Sequence, residues 1–443
     1  MIDGKTYISS IIGDRLDVPF RISINEILDS VNKVHCRCLG DIVHFSSEYW
    51  DQETLFEDVF PYIEIGSIDI ITGNISNINT VLIKDAPSRA KRIVRKDDIL
   101  VSTTRPNRGA ICLYKNDTIS IASTGFSIIR EIDESVLRDY LFLVLRLPIS
   151  LEQMIKRSSG GNYPAIIESE LRKVLIPIPS IDIQKEVVKI YLRAQENRSN
   201  KIQEANQLLS NLNNYLFNIL QIDNIISAND SKQSQKQNLS SLIGGRFDPQ
   251  QFHNERIEMI NHIKQRNWCR LKDIVNNIKT ILSSLPQEGI YLGLENIDGN
   301  TGEYVLSNEK ESISSAVFFK EGNILFPKLR PYLNKVYRAQ FDGCCSTEFH
   351  VFEAHDIDPD FLTIVLRSNM ILAQTRHLMT GNTLPRLQTT DIDNLIIPYP
   401  DIKIQEEVVN TIFSIKNKAK RLKEEGNALL EEVKQKIEKL ILK

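Results

Sequence analysis

The segment Ile176-Pro-Ile-Pro-Ser-Ile-Asp-Ile-Gln-Lys-Glu-Val-Val188 returns 221 positions later as Ile397-Pro-Tyr-Pro-Asp-Ile-Lys-Ile-Gln-Glu-Glu-Val-Val409. A repeat constrains the fold more than any single motif, because it means one structural unit built twice. The period is far longer than that of a solenoid, so each copy is large enough to hold its own core.

The echo runs through the chain. Arg15-Leu-Asp17 matches Arg246-Phe-Asp248, and Leu39-Gly-Asp-Ile-Val43 matches Leu271-Lys-Asp-Ile-Val275. Tyr62–Asp69 pairs with Tyr291–Asp298, and Asp98-Ile-Leu100 with its later Arg105-Pro106 pairs with Asn323-Ile-Leu325 and Arg330-Pro331. Ser123–Phe126 pairs with Ser346–Phe349, and Asp139-Tyr-Leu141 through Arg146 pairs with Asp360-Phe-Leu362 through Arg367. The offset falls from 231 at the first match to 221 at the last, as small loop deletions would cause.

At 443 residues the chain suits two domains of about 180 residues plus connectors. No apolar run approaches the roughly 20 residues that span a bilayer. The N-terminus, Met1-Ile-Asp-Gly-Lys5, has no basic region followed by an apolar stretch, so the expected location is cytoplasmic and off the membrane. His35-Cys-Arg-Cys38 lacks the usual zinc spacing, and Cys38 aligns with Arg270 in the second copy, so the six cysteines read as buried free thiols. The net charge of −3 argues weakly against a protein that coats nucleic acid unaided, but leaves room for local basic surfaces.

Short β-branched runs (Asp98–Ser102, Ile119–Ala122, Phe126–Ile129, Asn323–Phe326, Phe349–Phe352) alternate irregularly with helical stretches near 134–146, 254–265 and 359–368. That mixture predicts an α+β fold rather than a doubly wound sheet. Each Ile-Pro-x-Pro segment predicts an extended connector, since proline disfavours helix in the residue before it. Beyond it, Ile202, Ala205, Leu209, Leu212, Leu216 and Ile219 form a heptad seam, as do Val408, Ile412, Ile415, Ala419 and Leu422, with Leu429 and Val433 resuming the rhythm. The first helix would be on the order of 55 Å long. Two seams in one chain favour mutual pairing as an antiparallel coiled coil, the alternative being that each receives a foreign helix. The expected organisation is an N-terminal domain over 1–183, a helix over 184–226, a polar flexible linker over 227–241, a C-terminal domain over 242–403 and a final helix over 404–443. A pseudo-two-fold internal repeat results.

No convergent catalytic set stands out. Phosphate loop, dinucleotide fingerprint, His-Glu-x-x-His and Gly-x-Ser-x-Gly are all absent, as is the Asn/Asp-Pro-Pro-aromatic tetrapeptide of amino-methyltransferases. The seven histidines do not recur at equivalent positions and read as surface or core residues. Basic residues do cluster at matching places. Lys84, Arg89, Lys91, Arg92, Arg95, Lys96, Arg105 and Arg108 lie in the first copy; Lys320, Lys328, Arg330, Lys335 and Arg338 lie in the second. One such cluster is ordinarily a solvated loop; two at equivalent places shift the reading toward phosphate and base contact. A second repeated loop, Ser158–Pro164 against Met379–Pro385, fits either a plain turn or a DNA-facing loop.

These residues resemble the specificity subunit of type I restriction–modification systems over essentially the whole chain. The Ile-Pro-x-Pro-x-x-x-x-Gln-x-Glu-Val-Val signature, twice at this spacing, carries the likeness. The resemblance implies two target-recognition domains, each reading half of a split, asymmetric double-stranded DNA sequence. It also implies paired helices that set the unread spacer and dock methyltransferase subunits, two being expected. Those partners would supply S-adenosylmethionine and adenine methylation, and motor-nuclease subunits would supply ATP- and Mg-dependent translocation and cleavage. The chain itself would hold no cofactor or metal and would not be an enzyme.

On this reading the DNA-contact candidates are Lys91, Arg92, Arg95, Arg105, Asn107 and Arg108 in the first domain, and Lys328, Arg330, Asn334 and Lys335 in the second. Arg105 and Arg330 recur, so a structural role suits them too, because residues that discriminate should vary. Asp97-Asp98 against Gly322-Asn323, and Ser102-Thr-Thr104 against Pro327-Lys-Leu329, mark where the copies diverge. Rival readings are the specificity subunit of a bipartite type II system, whose partner fuses methyltransferase and nuclease, and a coiled-coil scaffold with protein-binding ends.

Overall fold

A computed structural model of the chain describes residues 35–161, 163–223, 249–282, 290–306, 315–381 and 384–442. The Arg-x-Asp pair at 15–17 and 246–248 and the linker over 227–241 lie outside the described residues. The chain divides into two compact units: residues 1–203 with 421–443, and residues 204–420. Both long helices therefore contribute to both units.

In the first unit, Cys36–Cys38 pairs antiparallel with Leu175–Pro177, closing the domain's two chain ends on each other. A four-stranded antiparallel sheet has the order Val43–Phe45, Phe126–Ile132, Ile99–Ser102, Ile111–Leu113. A second sheet has the order Asn79–Leu82, Val59–Ile63, Ser120–Ser123, Ala90–Val94, with a parallel pair in its middle. Helices Arg138–Leu145 and Pro148–Lys156 bury Tyr140, Leu141, Val144 and Met154 against the first sheet and the rod helices.

The second unit rebuilds this plan. Trp268–Arg270 pairs with Ile396–Pro398. Val275–Ile278, Phe349–Ala354, Ile324–Pro327 and Tyr337–Arg338 form the antiparallel sheet. Ile281–Leu282, Ala316–Phe319, Gly343–Ser346 and Tyr291–Leu292 form the mixed one, again with one parallel pair, Tyr291–Leu292 on Gly343–Ser346. The α+β expectation holds, and the strands begin and end within a few residues of the expected runs.

The repeated glutamine explains the signature. Gln184 is fully buried, accepts from the Leu137 backbone N–H and donates to the Ser135 and Pro179 carbonyls. Gln405 accepts from the Asp358 N–H and donates to the Pro400 carbonyl. Each therefore ties the Pro-x-Pro exit, the first turn of the rod and the turn entering the preceding domain helix into one network. Buried amides so satisfied fix a geometry that an apolar side chain would leave loose. A second pair, Gln153 and Gln374, clamps both the N–H and the carbonyl of Leu175 and of Ile396 on the exit strands.

The rods span Ile181–Ser210, then Leu212–Leu220 after a break at Asn211, and Ile402–Ile441. In the first unit Arg198 donates to Asn427 at 2.8 Å and Lys201 meets Glu425 at 2.6 Å, so numbers rise on one helix as they fall on the other. In the second, Lys418 pairs with Glu204, while Leu216, Phe217 and Leu220 share a core with Val408 and Ile412. The helices are antiparallel partners. The buried stripe departs from the expected seam in two stretches: Phe217 and Leu220 are buried while Leu212 and Ile219 are only partly so, and Leu430 and Ile437 are buried while Leu429 and Val433 are only partly so. In each stretch the rod also packs against a domain core, which selects a face turned by one residue.

Candidate nucleic-acid interface

The two Arg-Pro sequences fold identically. Arg105 has φ 50° and ψ 57°, and Arg330 has φ 47° and ψ 54°. Both are left-handed, a conformation that costs a non-glycine residue about 1–2 kcal/mol, and a following proline ordinarily favours extended backbone instead. Two bonds hold the strain: the Arg105 N–H donates to the Pro164 carbonyl and the Arg330 N–H to that of Pro385, 2.7 and 2.8 Å. The Arg-Pro turn is thus laced to the glycine loop, whose ends pair as Ser159 with Ala165 and Thr380 with Arg386. The two repeated loops are one site in each unit. A single 3-10 turn with buried Pro106 or Pro331 follows, leaving through a second left-handed residue, Gly109 or Asn334.

On this common turn the outward side chains differ. Asn107 and Arg108 are exposed at the first tip, and the Arg105 guanidinium lies 4.2 Å over the exposed Tyr163 ring. The matching tip carries Tyr332 and Leu333, exposed by 48 % and 40 %, while Leu384 stands where Tyr163 does. Tyr332 and Leu333 carry no charge and so stand outside the basic clusters that mark this loop in the sequence. Their place in the repeat, immediately after Arg-Pro, was the available signal.

Beside each turn the contrast continues. The first unit has Thr103, Gly125, Ser127 and Ala165; the second has Lys328, Glu348, His350 and Arg386 at the equivalent places. Arg386 grips Glu348 with two bonds of 3.0 and 2.8 Å, and that hydrogen bonding holds the Glu348 carboxyl below its usual range. Lys328 donates to the Thr347 carbonyl at 2.7 Å, and burial lowers its ammonium pKa. His350 bonds Asn277 at 2.7 Å through Nδ1; burial, then the charges of Lys328 and Lys279, push it down to about 4.

The remaining candidates separate by what they touch. Lys91 is exposed. Arg95 is half-exposed and pairs with Glu48 at 3.0 Å. Arg92 is buried: it donates to the Phe126 and Ser46 carbonyls and lies over the Tyr49 ring. Lys335 donates to the Leu294 carbonyl, and Asn334, the counterpart of Gly109, donates to that of Arg367. These bonds give all three a part in holding the fold. The contrast between Asp97-Asp98 and Gly322-Asn323 also needs correction. Asp97 and Gly322 share positive φ, and Asp98 and Asn323 each accept from the backbone three residues earlier, so both sequences build one turn.

Two equivalent arginines, seen in the sequence only as repeat matches, tie loops of each unit together. Arg146 donates to the carbonyls of Ile70, Ile71 and Thr72 and to the Tyr191 hydroxyl. Arg367 donates to those of Asn334, Val336, Gly299 and Asn300, which ties the second Arg-Pro turn to the Asp298–Gly302 turn. From the rods, Gln195 reaches the Thr72 carbonyl, and Lys416 approaches that of Thr301 at 3.4 Å.

A duplicated α+β module on antiparallel helices presents one strained turn twice, once in each unit. The family model of the type I restriction modification DNA specificity domain matches residues 32–210 and again 266–432, and the chain belongs to that family. It is 22 % identical over 307 residues to the type I restriction enzyme EcoDI specificity subunit of Escherichia coli, covering 68 % of each chain. It is 28 % identical over 182 residues to the HindI specificity subunit of Haemophilus influenzae, covering 40 % of this chain and 39 % of that one. A solved structure from work on the assembly and conformational transition of the type I restriction–modification system shares the fold. It has TM-score 0.50 and 19 % identity, covering 92 % of this chain and 96 % of the other.

Proposed function

We propose that this type I specificity subunit reads a bipartite, asymmetric double-stranded DNA target, one half through each Arg-Pro turn and its glycine loop. The observation that supports the reading is the duplicated strained turn, identical in backbone and different in its exposed tips. Strain kept at matching places in both copies marks positions held for function rather than for packing. Asn107 and Arg108 offer bidentate contacts to adenine and guanine edges; Tyr332 and Leu333 offer apolar contact to thymine methyls or a wedge between bases. Lys91, Arg95 and Arg105 are suited to phosphates.

The antiparallel rods set the unread gap and dock two methyltransferase subunits, which bring S-adenosylmethionine. Motor-nuclease subunits bring ATP and Mg, and the chain itself catalyses nothing. Its setting is the cytoplasm; among the described residues no helix is long and apolar enough to cross a membrane. The test is binding of the chain, assembled with its methyltransferase, to duplexes bearing the host's methylated motif and to scrambled duplexes. A preference of at least about a thousandfold for the motif is expected. Equal affinity would sink the reading and favour a protein-binding scaffold. A partner that both methylates and cleaves would make the system a bipartite type II one.

A further inference from the structure

We propose that His253, Glu255 and His377 in the second unit form a binding site for one borderline divalent transition-metal ion of the zinc class. The three side chains come from two elements brought together by the fold. His253 occupies the N-cap position of the helix Asn254–Lys264 without a side-chain capping bond, Glu255 lies in that helix's first turn, and His377 follows the helix Asn369–Thr375. Met259 and Ile263 of the first helix share the apolar core with Met370, Ile371 and Ala373 of the second, so packing independent of any ion fixes the backbone positions.

On that scaffold the donors converge. The two imidazole rings stack with centroids 3.4 Å apart and planes 13° apart, which holds them together; one ring must turn for both nitrogens to address a single ion. His377 Nε2 lies 2.9 Å from Glu255 Oε2. Ligand atoms of all three residues lie within 4.8 Å of one another, and each residue is half-buried, which leaves an ion a path from solvent. A tetrahedral ion with bonds of about 2.0–2.2 Å needs its ligands roughly 3.4 Å apart, a contraction within reach of side-chain rotation. Two imidazoles and a carboxylate suit zinc better than calcium or magnesium, which prefer all-oxygen sets. The other carboxylate oxygen, Glu255 Oε1, is held at 3.0 Å by Arg376, the outer-shell partner that orients a metal-binding carboxylate. The first copy has Lys156 where the second has His377, so the site belongs to one unit only. A bound ion would clamp the helix Asn254–Lys264 to the domain that follows it and stabilise the second unit by mass action.

Zinc titration of the untagged, metal-free full chain against a chromophoric chelator tests this. One ion per chain is expected, with His253→Gln and His377→Gln each weakening binding at least about tenfold. Wild-type binding no tighter than that of the double variant would overturn it. X-ray absorption of the zinc-loaded wild-type chain supplies a readout that no variant's folding can confuse. A shell of two imidazoles with oxygen supports the site; sulfur in the shell would assign the ion to cysteines and contradict it.

Discussion

The first unit's turn is a polar tip over small neighbours: Asn107 and Arg108 exposed, Arg105 stacked on Tyr163, with Thr103, Gly125 and Ala165 beside it. The second unit's turn is an apolar tip over a charged base: Tyr332 and Leu333 exposed, with Arg386, Glu348 and Lys328 locked beneath. Backbone angles at Arg105 and Arg330 agree within a few degrees. The framework is thus shared to the level of individual hydrogen bonds, while the surface it carries is free to diverge. Under the function proposed above, that division would let one half-target change without disturbing the other.

The largest effects should come from breaking what the units share. Arg146→Ala and Arg367→Ala each take the arginine partner from several carbonyls, most of them partly buried, and should cost about 2–4 kcal/mol. Hydrogen exchange should localise the loss to the unit that carries the substitution; equal loss in both would show that the units do not behave independently.

A smaller asymmetry is expected in acid. His350 titrates at about 4, whereas an unfolded histidine titrates near 6.5. Between those values the unfolded chain binds the extra proton. Stability of the second unit should therefore fall as pH drops from about 6.5 to 4, by no more than about 3 kcal/mol. The first unit, with Ser127 in that place, lacks this contribution. Denaturation against pH should show His350→Gln removing the slope, and an unchanged slope would place its origin elsewhere.

Smaller again, Tyr332→Ala with Leu333→Ala should relax discrimination at the second half-target by about 1–3 kcal/mol. Competition binding with half-target variants measures it, and a uniform loss across all sequences would make the tip a non-specific contact.

How much of this was legible in the sequence follows the same division. The Pro-x-Pro exits, Gln184 and Gln405, the helix pairing and the paired Arg-Pro turns all declared themselves by repeating. Residue facing did not. In the strand Ala90–Val94 a bulge lies between Ala90 and Arg92, and Lys91 points outward while Arg92 is buried. A list of basic residues cannot separate those two. Nor does it show that Asn334 fills a left-handed exit that its counterpart Gly109 fills with no side chain. Asp97-Asp98 and Gly322-Asn323 looked divergent because different residues satisfy the same turn. The Tyr332–Leu333 tip stayed hidden because exposed apolar residues carry no charge signature.

The most direct measurement is the methylome of a host carrying this chain with its methyltransferase, compared with the same host carrying Asn107→Ala with Arg108→Ala. The account predicts a split motif with an unread gap in the wild type. In the variant, bases in one half should be relaxed while the other half and the gap stay unchanged. Change in both halves, or an altered gap with both halves intact, would contradict two independent readers on one shared frame.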